Sequence, residues 1–364
     1  MKITVAFLFL ASVLLHSCKE SLKYVIDGSV ADMKSGCIFL IKMTEQGEDT
    51  LAVSPIKNGK FQLVGFVPKL TDAVLKVEGH PQRVPVFLEN VSYKANLNLH
   101  SPLDNCLTGS ENHTIYNDYM SYAKLLESKK RDFRQYIREA HEANDSVRIS
   151  ELYRLQREYE LKTRKSGREY LIEHADSYVA AFMLSRQMNC LSPEVLLHDY
   201  KLLGDNAKAS DPGLLIKERL ECLDAVSVGR TAPDFTLSTP QGGKLSLYSI
   251  SGKLKLLQFW ASWCVPCIRT NAEAVELYRK YHDKGLEIIS VSLNRTKKNW
   301  ERSILEQKLN WYHLSDLKSW DSETVHKYAV NRIPQFFLLD ENNVIVAKGL
   351  NGENLKNKIE EMLQ

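Results

Sequence analysis

A pair of cysteines three positions apart, Cys264 and Cys267, stands directly after an apolar run from Leu254 to Trp260. The residues after Cys267 are apolar at three- and four-residue spacing, so the chain is predicted to pass here from a buried strand into a helix. Cys264 then lies at the helix N-terminus, where unpaired N–H groups and the helix macrodipole favour the thiolate. The pattern predicts an α/β domain that carries a redox dithiol.

Half of a zinc site, or two structural thiols, are the other common uses of this cysteine spacing. A tetrahedral zinc site needs four ligands, and the chain has no second cysteine pair of this kind and no closely spaced Cys/His pair. We therefore expect no metal and no cofactor. Cys264 is expected to attack a partner disulfide, and Cys267 to resolve the mixed disulfide that forms.

The residues from about 229 to the C-terminus resemble the thioredoxin family, specifically the TlpA/ResA-type thiol-disulfide oxidoreductases of the bacterial cell envelope. Three segments carry the resemblance: Ala232 to Leu237 with the following Gly242-Gly243 turn, Phe259 to Cys267, and Ile333 to Asp340. The resemblance implies a thioredoxin fold for residues 226–364, with a central mixed sheet flanked by helices. It also implies an enzyme that acts on protein disulfides or dithiols and takes electrons from an upstream thiol donor.

The same resemblance implies four substrate-binding residues, Trp263 and Pro266 within the motif and Ile333 and Pro334 farther along the chain. The matching proline of the family is cis and packs against the dithiol. The main chain of Ile333 would then be free to pair with an extended substrate segment. The alternative is an ordinary trans proline that opens an edge strand.

The chain departs from the family at the positions that handle protons. Gln258 stands where thioredoxins carry a buried aspartate, six residues before the first cysteine, and Thr270 stands where many relatives carry glutamate. Cys267 therefore lacks both usual carboxylate bases. Glu273 is expected to lie on a solvated face, about 160° around the helix from Cys267.

Two other functions are compatible with parts of the sequence. A peroxiredoxin-type peroxidase would have proline at 257 and threonine at 261, where this chain has Leu257 and Ala261, so we do not expect peroxidase activity. A binding lipoprotein, whose β domain captures a partner while the dithiol is auxiliary, is the main alternative to an oxidoreductase.

The N-terminus predicts export. Lys2 precedes an apolar stretch from Ile3 to Leu15, too short for the roughly 20 residues of a membrane span but suited to a secretory signal. The stretch ends in a lipobox-like sequence before Cys18, so we expect a signal peptide over residues 1–17 and a lipidated Cys18. Lys19 in place of aspartate favours an outer-membrane anchor that faces the periplasm. A plain signal peptide is the alternative.

With 364 residues the chain is long enough for two or three domains, and 44% hydrophobic and 26% charged residues indicate a globular protein. A net charge of +3 makes no case for nucleic-acid binding. Residues 18–110 comprise a tether and short strand candidates that predict a small β-sandwich. Their order resembles that of an uncharacterised β domain found ahead of thioredoxin modules in Bacteroidetes lipoproteins. The predicted strands are Tyr24–Val30, Cys37–Met43, Leu51–Ile56, Phe61–Phe66, Ala73–Val77, Val84–Leu88 and Tyr93–Leu99.

Residues 111–225 are predicted to be helical, with a dense pattern of Lys, Arg and Glu that indicates a solvated face stabilised by pairs four residues apart. A dimerising or spacer role for this segment is an alternative. The four cysteines outside the motif and the lipid site could pair within a domain in an exported protein, as Cys37 with Cys106 or Cys190 with Cys222. Buried free thiols are the favoured interpretation.

Overall fold

The computed structural model describes residues 23–44 and 47–363. These residues form two compact units, one that ends at His174 and one that begins at Ala175. The predicted signal peptide and Cys18 lie outside the described residues. Among the helices that are described, none is long and apolar enough to cross a membrane.

The first unit begins with a β domain in which all seven predicted strands form, and a further short strand follows them. All eight strands belong to one hydrogen-bonded sheet in the order β6-β5-β2-β3-β4-β1-β7-β8. Buried and exposed residues alternate along most strands, as expected when one sheet face covers a core. The strands are β1 (Tyr24–Val30), β2 (Ser35–Thr44), β3 (Gly47–Lys57), β4 (Lys60–Gly65), β5 (Thr71–Val77), β6 (Arg83–Leu88), β7 (Ser92–Leu97) and β8 (Cys106–Thr108).

One helix contacts both edge strands of this sheet. In helix α1 (Glu111–Glu142), the Nε2 of His113 accepts a hydrogen bond from the backbone N–H of Phe87 in β6, at 3.2 Å. Asn117 of the same helix donates to the carbonyl of Leu107 in β8, at 2.7 Å. The sheet therefore curls until its edges meet α1, and the two layers of the predicted sandwich are parts of one nearly closed sheet. Covering both edges with a helix also blocks strand addition there.

Helices α1 and α2 (Ser146–Glu173) form a long hairpin, each with a side-chain cap from the residue before it. Their buried residues are few, and the exposed faces carry ion pairs such as Arg154–Glu158 at 2.7 Å. The predicted helical structure with a solvated, charged face is thus confirmed for this part of the segment 111–225. Exposed pairs of this kind contribute about 0.3–0.5 kcal/mol each.

The second unit begins with four helices, α3 (Tyr178–Gln187), α4 (Pro193–Leu202), α5 (Asp205–Ala209) and α6 (Asp211–Ala225). The helical segment predicted for 111–225 is therefore divided between the two units. Three of the four helices carry a serine N-cap whose side chain accepts from a backbone N–H, and α4 and α6 also have proline in the first turn.

The rest of the second unit is an α/β domain, as predicted. A hairpin of β9 (Thr236–Ser238) and β10 (Lys244–Ser246) precedes a five-stranded sheet in the order β13-β12-β11-β14-β15. Strand β11 is buried at every residue, pairs in parallel with β12 and in antiparallel fashion with β14, and so forms the centre of a mixed sheet. The remaining elements are β11 (Leu254–Trp260), α7 (Val265–Tyr281), β12 (Leu286–Ser292), α8 (Lys297–Glu306), β13 (Tyr312–Leu314), α9 (Glu323–Lys327), β14 (Gln335–Asp340), β15 (Ile345–Lys348) and α10 (Gly352–Met362).

Acid should lower the free energy of unfolding of the β domain, because His113 is buried there in its neutral form. Burial lowers the pKa of His113 to about 4, so between about pH 6.5 and pH 4 the unfolded chain binds a proton at this site that the folded chain does not. The stability present above pH 6.5 should therefore fall by up to roughly 3 kcal/mol as the pH drops to 4. Urea unfolding followed by far-UV circular dichroism measures this fall.

His113→Gln keeps an acceptor and removes the titration, so its stability should decline less steeply over the same pH range. All five tryptophans lie in the second unit, and tryptophan emission recorded in the same experiment separates its unfolding from that of the β domain. If the free energy of unfolding falls equally steeply with pH in His113→Gln and in the unaltered protein, His113 does not govern the acid response.

Candidate functional site

The dithiol lies at the junction of β11 and α7, as the sequence predicts. Cys264 is the N-cap of α7, and Cys267 lies in its first turn; the two are joined by a disulfide bond. The backbone N–H of Cys267 donates to the Sγ of Cys264 at 3.2 Å. Pro266 fits the first turn because the N–H it lacks has no intrahelical partner there. A thiolate on Cys264 would accept a hydrogen bond from this N–H and lie at the positive end of the helix macrodipole, and both interactions stabilise its negative charge.

Both sulfur-bearing residues are largely buried, and apolar side chains around them are exposed. Cys264 and Cys267 are 5% and 0% exposed, whereas Trp263 and Val265 are 55% and 60% exposed. Access is therefore confined to a narrow edge of Cys264, and the surface beside that edge is apolar. Large exposed apolar side chains next to a reactive group indicate a surface that binds another molecule.

The Ile333–Pro334 peptide bond is cis, as the resemblance implies. The carbonyl oxygen of Ile333 lies 3.7 Å from the Sγ of Cys264. Ile333 precedes β14, which begins at Gln335, so its main chain lies outside the strand ladder and beside the reactive sulfur. The structure thus brings together Cys264, Cys267 and the four substrate-binding residues predicted from the sequence.

Two buried side chains that the sequence analysis did not single out position the loop before Cys264. Asn294 is 2% exposed; its side-chain oxygen accepts from the N–H of Ser262 at 3.0 Å, and its side-chain nitrogen donates to the Ser262 hydroxyl at 2.6 Å. Ser292 donates to the same Asn294 oxygen at 2.9 Å. Asn294 follows β12 as Ser262 follows β11, and the carboxyl ends of parallel strands meet at one sheet edge. That register is the signal by which Asn294 could have been found.

A network of uncharged side chains occupies the place of the usual carboxylate. Gln258 is 1% exposed and donates to the Ser290 hydroxyl at 2.7 Å and to the Asn271 side-chain oxygen at 3.2 Å. Asn271 donates in turn to Gln307 at 2.9 Å, and Trp311 donates to Ser290 at 2.7 Å. The network satisfies its buried polar groups without any charge.

This network adjoins Cys267. Asn271 lies one helical turn after Cys267, and both are buried on the same face of α7, which places their Cβ atoms about 5–6 Å apart. Thr270 donates to the carbonyl of Cys267 at 3.0 Å and cannot act as a base at neutral pH. Glu273 is exposed, as predicted. The side chains at both usual carboxylate positions are therefore neutral.

Burial also keeps His313, which packs against Trp260 at the end of β11, neutral. His313 lies with its ring centroid 6.2 Å from that of Trp260, and burial lowers its pKa to about 4. Its Nε2 lies 3.0 Å from the carbonyl of Leu309. Tyr328, which packs on Phe259 with ring centroids 5.4 Å apart, has its pKa raised by burial. The aromatic groups that pack behind the site thus remain uncharged near pH 7.

Within the described residues, the four cysteines outside the motif are free thiols, as the favoured interpretation held. Their predicted burial is wrong in one case, because Cys190 is exposed in the loop between α3 and α4, and the other three are only partly buried. Cys222 packs at the edge of a core, whereas Cys190 lies in a surface loop, so the preference of free cysteine for apolar interiors does not apply to Cys190.

A mixed sheet, a dithiol at the N-terminus of the helix after its central strand, and a cis proline beside the first sulfur together define a thioredoxin-fold thiol-disulfide oxidoreductase. Family models match one segment in the thioredoxin domain and another in the β domain. Residues 228–348 match the AhpC/TSA family, and residues 24–116 match a domain of unknown function, DUF4369.

The thiol-disulfide oxidoreductase ResA of Geobacillus thermodenitrificans is 35% identical over 140 residues, which cover 38% of this chain and 78% of that protein. ResA of Bacillus cereus is 30% identical over 141 residues, which cover 39% of this chain and 79% of that protein. The chain therefore belongs to the ResA family of thiol-disulfide oxidoreductases.

Solved structures give matches over the same part of the chain. The thioredoxin domain of a thiol-disulfide oxidoreductase from Bacteroides vulgatus is 30% identical, with a TM-score of 0.36, over 38% of this chain and 99% of that one. A thiol-disulfide oxidoreductase from Bacteroides fragilis is 34% identical, with a TM-score of 0.35, over 36% of this chain and 99% of that one.

Proton removal from Cys267 should limit turnover near neutral pH, because Gln258 is not a base. Gln258→Asp should accelerate disulfide reduction by the reduced protein by about tenfold at pH 7, and less at pH 9, where the thiol ionises unaided. The buried carboxylate should lower stability by about 1–3 kcal/mol. Stopped-flow kinetics over this pH range measures the effect.

Gln258→Asn is the matched control, since asparagine has the shape of aspartate without its charge. The control should disturb the network and give no acceleration at pH 7. If both variants keep the pH–rate profile of the unaltered protein, another group or a water already removes the proton.

Proposed function

We propose that the protein is an envelope-anchored enzyme that exchanges disulfides with partner proteins through Cys264 and Cys267. The observation that carries the proposal is the position of Cys264, at the N-cap of α7 with its sulfur 3.7 Å from the main-chain carbonyl of Ile333. A nucleophile is thereby placed next to main chain that can hold an extended substrate. Protein disulfides are the substrates that the family implies.

The exchange proceeds in two displacements. The Cys264 thiolate attacks one sulfur of a substrate disulfide, a mixed disulfide forms, and the other substrate sulfur leaves as a thiolate that takes up a proton. Cys267 then loses its proton and attacks the sulfur of Cys264, which releases the second substrate thiol and closes the 264–267 disulfide. Two electrons and two protons pass to the substrate, and an upstream dithiol donor restores the reduced enzyme by the reverse steps.

Substrate binding uses main-chain and apolar contacts. A substrate segment that pairs with the main chain of Ile333 lies beside cis Pro334, and its cysteine then faces Cys264. The exposed faces of Trp263 and Pro266 provide apolar contact next to the reacting sulfurs. Main-chain pairing of this kind tolerates many sequences, as expected of an enzyme that acts on several protein partners.

Anchoring in the envelope is the second part of the proposal. The apolar stretch from Ile3 to Leu15 and the cysteine at 18 support lipidation of Cys18, which would hold the enzyme at the outer membrane facing the periplasm. Export also suits the chemistry, because disulfides form and persist in oxidising compartments outside the cytosol.

The division of labour between the two cysteines predicts different outcomes for their serine variants. Cys264→Ser removes the attacking sulfur and should abolish exchange. Cys267→Ser still attacks but cannot resolve, so it should accumulate mixed disulfides with envelope proteins. Non-reducing electrophoresis of each variant from cells quenched with acid measures the trapped species. Equal trapping by both variants would contradict the assignment.

Anchoring predicts that processing depends on Cys18. Cys18→Ala, or treatment of cells with globomycin, should leave an unprocessed or unlipidated form, and the unaltered protein should fractionate with membranes. Immunoblots of membrane and soluble fractions measure both. An unaltered protein found in the soluble periplasmic fraction would contradict lipidation while leaving the exchange chemistry intact.

A further inference from the structure

Helix α6, against which α3, α4 and α5 pack, lies against the thioredoxin domain. Side chains of α6, including Cys222 and Leu223, pack against the domain's core, in which Val226 is buried. Helix α6 also contacts α9, the helix that leads into the cis-proline loop. Just after α6, the backbone of 229–232 bonds to 343–345 beside β15, with Gly229 donating to Ile345 at 2.8 Å. The helices are therefore held against the domain at both of these places.

The loop between α3 and α4, residues 188–192, reaches the cis-proline loop. The side-chain N–H of Asn331 donates to the carbonyl oxygen of Asn189 at 2.6 Å. Asn331 lies two residues before Ile333, whose own carbonyl is 3.7 Å from the sulfur of Cys264. Asn189 and Cys190 are exposed. The 188–192 loop thus stands at the rim of the dithiol site, on the side where the cis-proline loop begins.

An extended polypeptide fits this arrangement better than a small disulfide. A strand advances about 3.3 Å per residue, so a segment that pairs with Ile333 and continues along Arg332 and Asn331 reaches the 188–192 loop within two or three residues. On the other side of Cys264, the exposed side chains of Val265 and Ile268 extend the apolar surface. A small disulfide held at Cys264 alone reaches neither end.

We propose that the 188–192 loop is a wall of the substrate site that selects extended polypeptide disulfides over small ones, with Asn331 as the positioning residue that fixes the wall. The proposal rests on the function proposed above and adds to it a selectivity element. The 188–192 loop is bonded to Asn331, two residues before Ile333, so its effect should fall on binding of the polypeptide. Loss of the Asn331 contact should therefore raise the KM for a peptide substrate more than it lowers kcat.

Two probes that release the same chromophore test the selectivity, in a Cys190→Ser background because the exposed thiol of Cys190 would otherwise react with both. One is 5,5′-dithiobis(2-nitrobenzoate), and the other is an extended cysteine peptide whose thiol is activated as the mixed disulfide with the same nitrothiobenzoate. In single-turnover stopped flow of the pre-reduced protein, Asn331→Ala should lower the ratio of peptide to small-probe kcat/KM by about five- to tenfold, through the half-saturating peptide concentration, as loss of one hydrogen bond predicts. Asn331→Asp, which keeps the shape but has no N–H to donate, should lower the ratio equally. Asn342→Ala, at an exposed asparagine in the β14–β15 turn, should not change it.

A second readout does not depend on the Asn331 variants. The Cys267→Ser protein, also carrying Cys190→Ser and trapped with the peptide, should show slowed hydrogen exchange over 188–192, compared with the same protein carrying only the nitrothiobenzoate group. The proposed role of the 188–192 loop would be overturned by an unchanged ratio of peptide to small-probe kcat/KM in either Asn331→Ala or Asn331→Asp. Hydrogen exchange over 188–192 that is not slowed by the trapped peptide would overturn it as well. Failure of the reduced Cys190→Ser protein to react with either probe would instead overturn the proposed exchange function.

Discussion

The N-cap of α7 is the interaction on which the site depends. Strand β11 is buried on all sides and ends at Trp260, so the chain must leave the sheet edge there and turn into a helix. The sulfur of Cys264 then takes the cap position, where the N–H of Cys267 points at it. The cap that begins the helix is thus also the group that reacts, and the stability of the turn and the activation of the sulfur have one physical origin.

The buried polar network shows how the domain keeps its fold while it loses the carboxylate that usually serves the second cysteine. A lone buried aspartate would need compensation, whereas Gln258, Asn271 and Ser290 satisfy one another as neutral groups. The network stabilises the packing of α7 against the sheet. The neutral network should slow the second displacement, because Cys267 has no adjacent carboxylate among these groups and must lose its proton to a weaker base.

Much of this could be predicted from sequence. The buried run 254–260, the cysteine spacing and the Ile333-Pro334 pair carry local signals, and each led to the element that the structure shows and to residues that lie close together in it. The contacts of Asn294 and Asn331 could not be predicted in this way, because they join segments distant along the chain and depend on strand register and loop packing. The curled sheet was missed for the same reason, since its closure depends on His113 and Asn117 of a helix that follows all the strands.

The central claim is that Cys264 and Cys267 form one reversible two-electron couple. Equilibration of the protein in redox buffers, followed by alkylation of free thiols and peptide mass spectrometry, measures it most directly. We predict that both cysteines become oxidised together in a two-electron transition with a midpoint between about −270 and about −120 mV, the range of thioredoxin-fold enzymes. Separate transitions for the two cysteines, or thiols that stay reduced throughout that range, would contradict the account.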